Sequence, residues 1–449
     1  MDLTEGLERL RATFASGKTA DLAWREGQLD ALLALLDAGQ GELVGALAED
    51  VGKPAIEAWA TDVAASQGEV GLARAKLRDW AASRPAEVPP EWMPATASVE
   101  PQPLGLVLVV SPWNYPVQLL VQPLAAAIAA GNCVVVKPSE LAPATSAVLA
   151  GLIRQHLDPD AVLAVEGGIP ETTELLEQRF DHIFYTGSTE VGRVVMRAAA
   201  EHLTPVTLEL GGKCPTYVHR SADLAEAGKR IAWGKFLNAG QTCLAPDYVL
   251  VDREVQDELV QSLVSAVARF YGEDPASSPD YGRIVNQRHV ERLRSLRDAP
   301  GAGTVAVGGG DDVAERYVAP TVLVGTDPSS AIMGQEIFGP LLPVIAVDDE
   351  DAAVRFINAR ERALAAYVFA EDTAVVDRYI RRTTSGGVCV NAALLHNSAP
   401  DLPFGGVGPS GMGSYHGRHG FDRLSHLKSV LVRPSSAPID HVMPPYPVL

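Results

Sequence analysis

The sequence predicts an α/β protein whose parallel sheet is covered by helices on both faces. Short apolar runs at Leu104–Val110, Cys133–Val136, Ala161–Val165, His182–Tyr185 and Val206–Leu210 are nearly continuous. That is the pattern of strands buried on both faces rather than one. Helical stretches at Val117–Ala130, Ala144–His156 and Glu190–Ala200 separate them, and strand–helix alternation is the sequence form of parallel crossover units. The chain of 449 residues, 47% hydrophobic and 21% charged, is long enough for two or three domains with their own cores.

Residues 4–82 read as successive amphipathic helices, with Leu29, Leu32, Leu33 and Leu36 on one face and an interruption at Gly52-Lys-Pro54. Pro85, Pro89, Pro90 and Pro94 then exclude helix, and Thr96–Glu100 alternates like a strand. The alternating elements follow, each βα loop lying at the carboxyl end of a strand, where such sheets hold ligands. Asn114, Lys137, Glu140, Gly187 and Ser188 all fall there. Asp223–Leu237 reads as an amphipathic helix with Gly240 as its stop signal, before the short strand Tyr248–Val251. A second α/β unit runs from Lys213 to Asn397, with helices Val255–Phe270 and Ala352–Ala359 and strands Leu342–Val347, Ala366–Phe369 and Gly387–Asn391. The last fifty residues are rich in glycine and proline and close in a strand-like Ser429–Arg433.

Composition excludes several classes. A net charge of −19 opposes nucleic acid, because phosphate neutralisation needs clustered Lys and Arg; Arg292–Arg297 and Arg381-Arg382 read as solvated helix faces. Four widely spaced cysteines suit a reducing, cytoplasmic setting rather than a disulfide framework. The acidic amphipathic start is unlike a secretory signal. Runs such as Leu104–Val110 are too short to span a bilayer, and the tail Pro444–Leu449 offers no hydrophobic anchor. No membrane partner is expected.

The stretch Phe236–Pro246 places one thiol, Cys243, on a turn between helix and strand. Partial exposure and surrounding backbone N–H groups lower a thiol pKa and make its thiolate a nucleophile; the alternative is a buried structural cysteine. Thr207–Lys213 carries a lone acid, Glu209, inside an apolar strand, where an unpaired charge is costly and a carboxyl pKa is raised. Thr186-Gly-Ser-Thr-Glu-Val-Gly192 joins a strand to a helix, so its N–H groups and the helix dipole favour an anion. It lacks the Gly-Lys-Ser/Thr of a triphosphate loop. Gly406-Val-Gly-Pro-Ser-Gly411 matches G-x-G-x-x-G letter for letter, but the fingerprint needs a preceding strand and a following helix. Pro409 and the glycines at 413, 417 and 420 predict a packed loop with no helix. His416-Gly-Arg-His419 offers two histidines without a third ligand, so no metal is expected.

With Ser111-Pro-Trp-Asn-Tyr-Pro116, Gln335–Pro340 and Pro403–Gly417, these motifs resemble the aldehyde dehydrogenase superfamily, most closely its class 3 branch. The resemblance runs from about Leu7 to Tyr446. It implies a Rossmann-type cofactor domain (1–83 and 103–212), an α/β catalytic domain (213–397) and a small β bridging and oligomerisation segment (84–102 and 398–449). It implies oxidation of an aldehyde to a carboxylic acid with NAD, NADP being possible. Cys243 would be the nucleophile, Asn114 and the Cys243 N–H the oxyanion donors, and Glu209 the base that hydrolyses the thioester. Lys137 and Glu140 would bind the adenosine ribose, Gly187, Ser188 and Gly192 the phosphates, and Glu336, helped by Phe338, the nicotinamide ribose. Glu336 reads as the more exposed of the two acids. An acid at position 140 repels a 2′-phosphate and leans the choice toward NAD. The aldehyde pocket would include Trp113, Tyr115, Leu244 and His396. Since the chain begins almost directly with its first helix, the expected assembly is a homodimer rather than a tetramer. The rival reading is an esterase, thioesterase or acyltransferase using Cys243 with a histidine base; no G-x-S-x-G supplies a serine nucleophile.

Overall fold

The computed structural model describes residues 3–439 and 442–446. Met1, Asp2 and residues 447–449 of the tail read above lie outside the described residues.

Six strands form the first sheet, in the order Gly411–Met412, Val206–Glu209, His182–Thr186, Leu106–Val110, Cys133–Lys137 and Val162–Ala164. All its pairings are parallel except that of the first, which runs antiparallel to Val206–Glu209. Side chains alternate across these strands, and both sets are buried. Val107, Val109, Val134 and Val136 join the large central core. Leu106, Leu108, Val110, Cys133 and Val135 join a second core with Leu7 and Leu10 of the first helix. The continuous apolar runs follow from this double cover.

The second sheet has seven strands in the order Thr304–Val307, Thr321–Val324, Leu341–Val347, Tyr248–Asp252, Pro215–Val218, Ala365–Phe369 and Gly387–Val390. Only the first of these pairs antiparallel. The sequence reading missed Pro215–Val218, Thr304–Val307, Thr321–Val324 and the helix Ile169–Leu176. The strands are four residues each, too short for a periodic signal, and the helix follows two glycines.

The N-terminal helices are as expected. Leu22–Val51 is capped by the Asp21 carboxylate, which accepts from the Ala23 N–H, and ends at left-handed Gly52. By length and composition this helix could cross a membrane, but Leu29, Leu32, Leu36, Leu43 and Leu47 are fully buried in the central core.

Arg84–Ala86, Thr96–Pro103 and Ser425–Val432 form an antiparallel sheet with Thr96–Pro103 in the middle. The 398–449 segment is therefore divided. Its last strand completes this small sheet, while Gly411–Met412 pairs with the strand that ends in Glu209. The expected absence of helix after the glycine-rich run is corrected, since Gly417–Arg423 is helical. Glu69 accepts the Gly417 N–H at 2.7 Å, and the small surface at Gly420 lies against Ala126. Tight helix packing there needs the glycine that sequence reading took for a breaker.

Candidate active site

A cavity of about 1050 Å³ opens at the carboxyl ends of the strands, lined by Asn114, Lys137, Glu140, Gly187, Ser188, Glu209, Cys243, Glu336 and Phe338. Residues up to 224 positions apart thus converge on one space, as the motifs anticipated.

The helix Leu224–Phe236 stops earlier than expected. A kinked turn, Leu237–Gly240, follows, with Asn238 (φ 53°) and Ala239 (φ 50°) in the left-handed region. Such residues cost roughly 1–2 kcal/mol each and persist only where the surroundings hold them. Here the Asn238 amide donates to the Asn114 carbonyl at 2.8 Å, and its N–H to Glu57 at 2.8 Å. Gly240, at φ 75°, is no helix stop; a Cβ there would collide with the Gly339 carbonyl. Gln241 braces the loop, donating to Arg283 O at 2.9 Å and accepting the Val285 N–H at 2.9 Å. The Cys214 thiol donates to Cys243 O at 3.3 Å, and the Tyr367 hydroxyl to Leu244 O at 2.7 Å.

Cys243 itself is half-buried at the cavity wall. The Cys243 and Leu244 N–H groups do stabilise its thiolate, yet the expected drop in pKa is overturned. Burial, then the charges of Glu336 and Glu209, push the thiol up to about 12. Loss of hydration outweighs two peptide dipoles.

Glu209 ends its strand between Thr186 and Gly411. It is buried, and neither carboxylate oxygen has a hydrogen-bond partner among the described residues. Burial raises its pKa well above the usual carboxyl value, against the opposing pull of Arg423. Asn114, in the turn after Leu106–Val110, is also buried. Its Nδ2 donates to Gln241 O at 3.0 Å, leaving one of its two N–H donors for a ligand.

On the opposite side, Lys137 is a buried ammonium whose only hydrogen bond among the described residues goes to Pro138 O at 2.8 Å, with Glu140 at 3.8 Å. Burial lowers its pKa, while Glu140 supports the charge. Ser188 caps the helix Thr189–Glu201 by accepting from Val191 N–H at 3.4 Å, so its N-terminus opens on the cavity. Gly192 does not line the cavity; it faces Leu210 at the helix–strand contact. Glu336 is partly exposed where Glu209 is buried, as its pattern implied, yet its pKa rises to about 8. Burial and Asp247 drive this against the Gly212 N–H, Lys213 and Arg292. Phe338 meets the Trp113 ring edge-on at 5.4 Å.

Arg292 is not a solvated face: it donates to the carbonyls of Ile337 at 2.6 Å and Phe338 at 3.4 Å. Arg297 likewise binds Gly309 O and Asp311, each at 2.7 Å. No periodicity signals a guanidinium that binds loop carbonyls 45 residues away. The donors and acceptors around Lys137, Ser188, Glu140 and Glu336 match the phosphates and ribose hydroxyls of a nicotinamide dinucleotide. The lone ammonium with unused donors is the observation that favours this fit.

Trp113, Tyr115 and Leu244 line the remaining wall. His396 does not. It lies beside Gly387 and meets the Tyr367 ring at 6.1 Å, and burial lowers its pKa to about 4. Its neighbours Leu394, Leu395 and Asn397 face the cavity instead, with Trp233, Leu237 and Tyr415, which sequence reasoning missed. Trp233 and Leu237 stand four residues apart before Cys243, a helical spacing that could have revealed them. His416 pairs with Glu69 at 3.3 Å and stacks on Tyr415, while His419 contacts Asp401 O at 3.3 Å. Among the described residues, no group of three or more His, Cys, Asp or Glu could hold a metal ion.

Comparison with known proteins shows the family and the fold. The model of the aldehyde dehydrogenase family matches residues 2–430. The dog protein named dimeric NADP-preferring aldehyde dehydrogenase is 48% identical over 96% of this chain and 95% of its own. Mouse aldehyde dehydrogenase family 3 member A2 is 49% identical over 95% of this chain and 87% of its own. The substrate-bound structure of Staphylococcus aureus AldH superposes with a TM-score of 0.96 at 41% identity, covering 99% of this chain and 97% of that one.

Proposed function

The chain belongs to the aldehyde dehydrogenase family, and from that premise we propose that Cys243, Asn114 and Glu209 carry its chemistry. The protein oxidises an aldehyde to a carboxylic acid with reduction of NAD(P)⁺. The observation that carries the assignment is the convergence of a thiol, a free amide N–H and an unpaired buried carboxyl on one cavity.

In this reading the Cys243 thiol gives its proton to solvent, and the thiolate sulfur adds to the aldehyde carbon as the carbonyl π electrons move to oxygen. The Asn114 amide and the Cys243 N–H hold that oxyanion where charge develops. Lys137, Glu140, Ser188 and Glu336 would hold the dinucleotide, with Phe338 beside it, and the bound group would supply the hydride acceptor. Loss of hydride from the Cys243 adduct leaves the acyl group on that sulfur as a thioester. Glu209 then takes a proton from water, which attacks the thioester and frees the acid and the thiol. Glu140 leans cofactor choice toward NAD, and the ratio of kcat/KM with NAD⁺ and NADP⁺ tests this. The four unpaired thiols support a cytoplasmic setting.

The hydrolase reading finds less support. His289 lines the cavity, but it packs on Trp113 at 5.6 Å, and burial lowers its pKa to about 4. Mixing the protein with NAD⁺ and a panel of aldehydes separates the readings. Reduced nicotinamide should appear; ester cleavage without it would overturn the dehydrogenase assignment.

A homodimer is the favoured assembly. The small sheet leaves the eight-residue strand Ser425–Val432 as an edge, with Leu427, Leu431 and Val432 at 41, 63 and 60% exposure. An apolar edge invites pairing, and a two-fold axis lets one patch satisfy itself. Light scattering at micromolar concentration should give about twice the 47.6 kDa of the chain. Deletion from Ser425 onward should give monomers or insoluble protein. A stable tetramer, or a fully active monomer after the deletion, would place the interface elsewhere.

A further inference from the structure

We propose that the buried ion pair Lys53–Asp62 is a positioning device for the oxyanion donor, fixing the Asn114 peptide so that its side-chain amide faces the reacting carbonyl. The inference rests on the reading of Asn114 as that donor.

Both side chains are fully buried, with Nζ 2.6 Å from Asp62 Oδ2. The ammonium's other contacts go to the active-site turn. It donates to Asn114 O at 2.9 Å and lies 3.8 Å from the centre of the Tyr115 ring. Asp62 Oδ1 accepts the N–H groups of Val117 at 3.1 Å and Gln118 at 3.3 Å, where the helix Gln118–Ala130 begins. The pair therefore grips the turn 114–118 at both ends. Asn238 Nδ2 is the second donor to Asn114 O, so this carbonyl is held from two sides. The Asn114 amide is then placed against Gln241 O of the cysteine loop.

Asp62 stands in a single π-helical turn, Trp59–Ala64, with only α-helix on either side. Such turns re-aim a side chain and recur at functional sites. A dry ion pair must recover the hydration it loses, and well-packed apolar residues often hold a core equally well. What the charges add over such a filler is direction. A lysine with donors left after its salt bridge spends one of them on the carbonyl of Asn114. Misplacement of a catalytic group by about 1 Å can cost on the order of 10²-fold in rate.

The test is a double-mutant cycle in kcat, with Tm, KM for the aldehyde and Kd for NAD⁺ measured on each protein. Asn114→Ala is combined with Lys53→Met, and separately with the paired change Lys53→Met/Asp62→Leu, which leaves no unpaired buried charge. We expect each Lys53 variant to lower kcat by roughly 10²-fold with KM and Kd within about twofold. In the Asn114→Ala background the same changes should cost less than about threefold, because the group they position is gone. Equal losses in both backgrounds would show a merely structural role and overturn the proposal. So would wild-type kcat in the paired variant, or failure of both Lys53 variants to fold. Wild-type turnover by Asn114→Ala alone would instead remove the oxyanion reading, and the pair's role with it.

Discussion

Cys243→Ala is expected to abolish aldehyde oxidation, with a loss of about 10⁴–10⁶-fold, the scale seen when a covalent nucleophile is removed. Without the sulfur no tetrahedral adduct forms, so no oxyanion on the carbon is in place to expel hydride. Cys133→Ala, Cys214→Ala and Cys389→Ala should each retain activity. None of the three lines the cavity. Burial pushes the Cys133 thiol to about 12 and holds those of Cys214 and Cys389 above their usual value. Cys214→Ala should be the least neutral of the three, since it removes a donor to the Cys243 carbonyl. Alkylation by iodoacetamide gives a second check. With the Cys243 thiol near 12 in the unliganded protein, modification should accelerate through the alkaline range. Substantial oxidation by Cys243→Ala would sink the assignment.

Glu209→Gln should slow steady-state turnover by roughly 10²–10⁴-fold, the usual worth of a general base. It should still release a burst of reduced nicotinamide equal to the number of active sites. The burst separates the steps: addition and hydride loss do not use the carboxylate, whereas hydrolysis of the thioester does. No burst, with substrate and cofactor still bound, would place Glu209 before the hydride step or outside catalysis. Proton linkage gives an independent readout. The folded protein keeps this carboxyl protonated well above the ordinary value of 4.5, while the unfolded chain releases that proton. Between those two values the native state binds more protons, so this residue's contribution to stability falls as pH rises. The Gln variant lacks the effect and should melt above the wild type at neutral pH and beyond. Thioester hydrolysis in the wild type should rise with pH as the base form becomes populated.

Much of the fold and most of the site could be read directly from the sequence, for a local reason. A strand buried on both faces is a continuous apolar run, and the residues after it lie at the sheet's ligand-binding edge. Asn114, Lys137, Gly187 and Glu209 were therefore placed by their position after or within a strand. Chain order put Cys243 on a turn, since a helix, a breaker and a strand in succession imply one; a structural cysteine stayed open there, and the family resemblance made it the nucleophile. A lone acid in an apolar strand announced its own raised pKa before any neighbour was known.

Only the tertiary structure decided what depends on partners distant in the chain. The sign of the Cys243 shift turns on burial and on Glu336, 93 positions away, against two local N–H groups that sequence reasoning overvalued. Leu395 rather than His396 faces the cavity because one irregular turn selects which neighbour points inward. Gly417–Arg423 is helical because Glu69 caps it and Ala126 needs a surface without side chains. In the sequence Lys53 is only the middle of a Gly-Lys-Pro break, and Asp62 carries no signal of its own. Their meaning appears only where they meet Asn114, 61 positions from Lys53. Periodicity reports which face of an element is covered. It carries no information about which distant group covers it, and the charges and hydrogen bonds of this site are set by that choice.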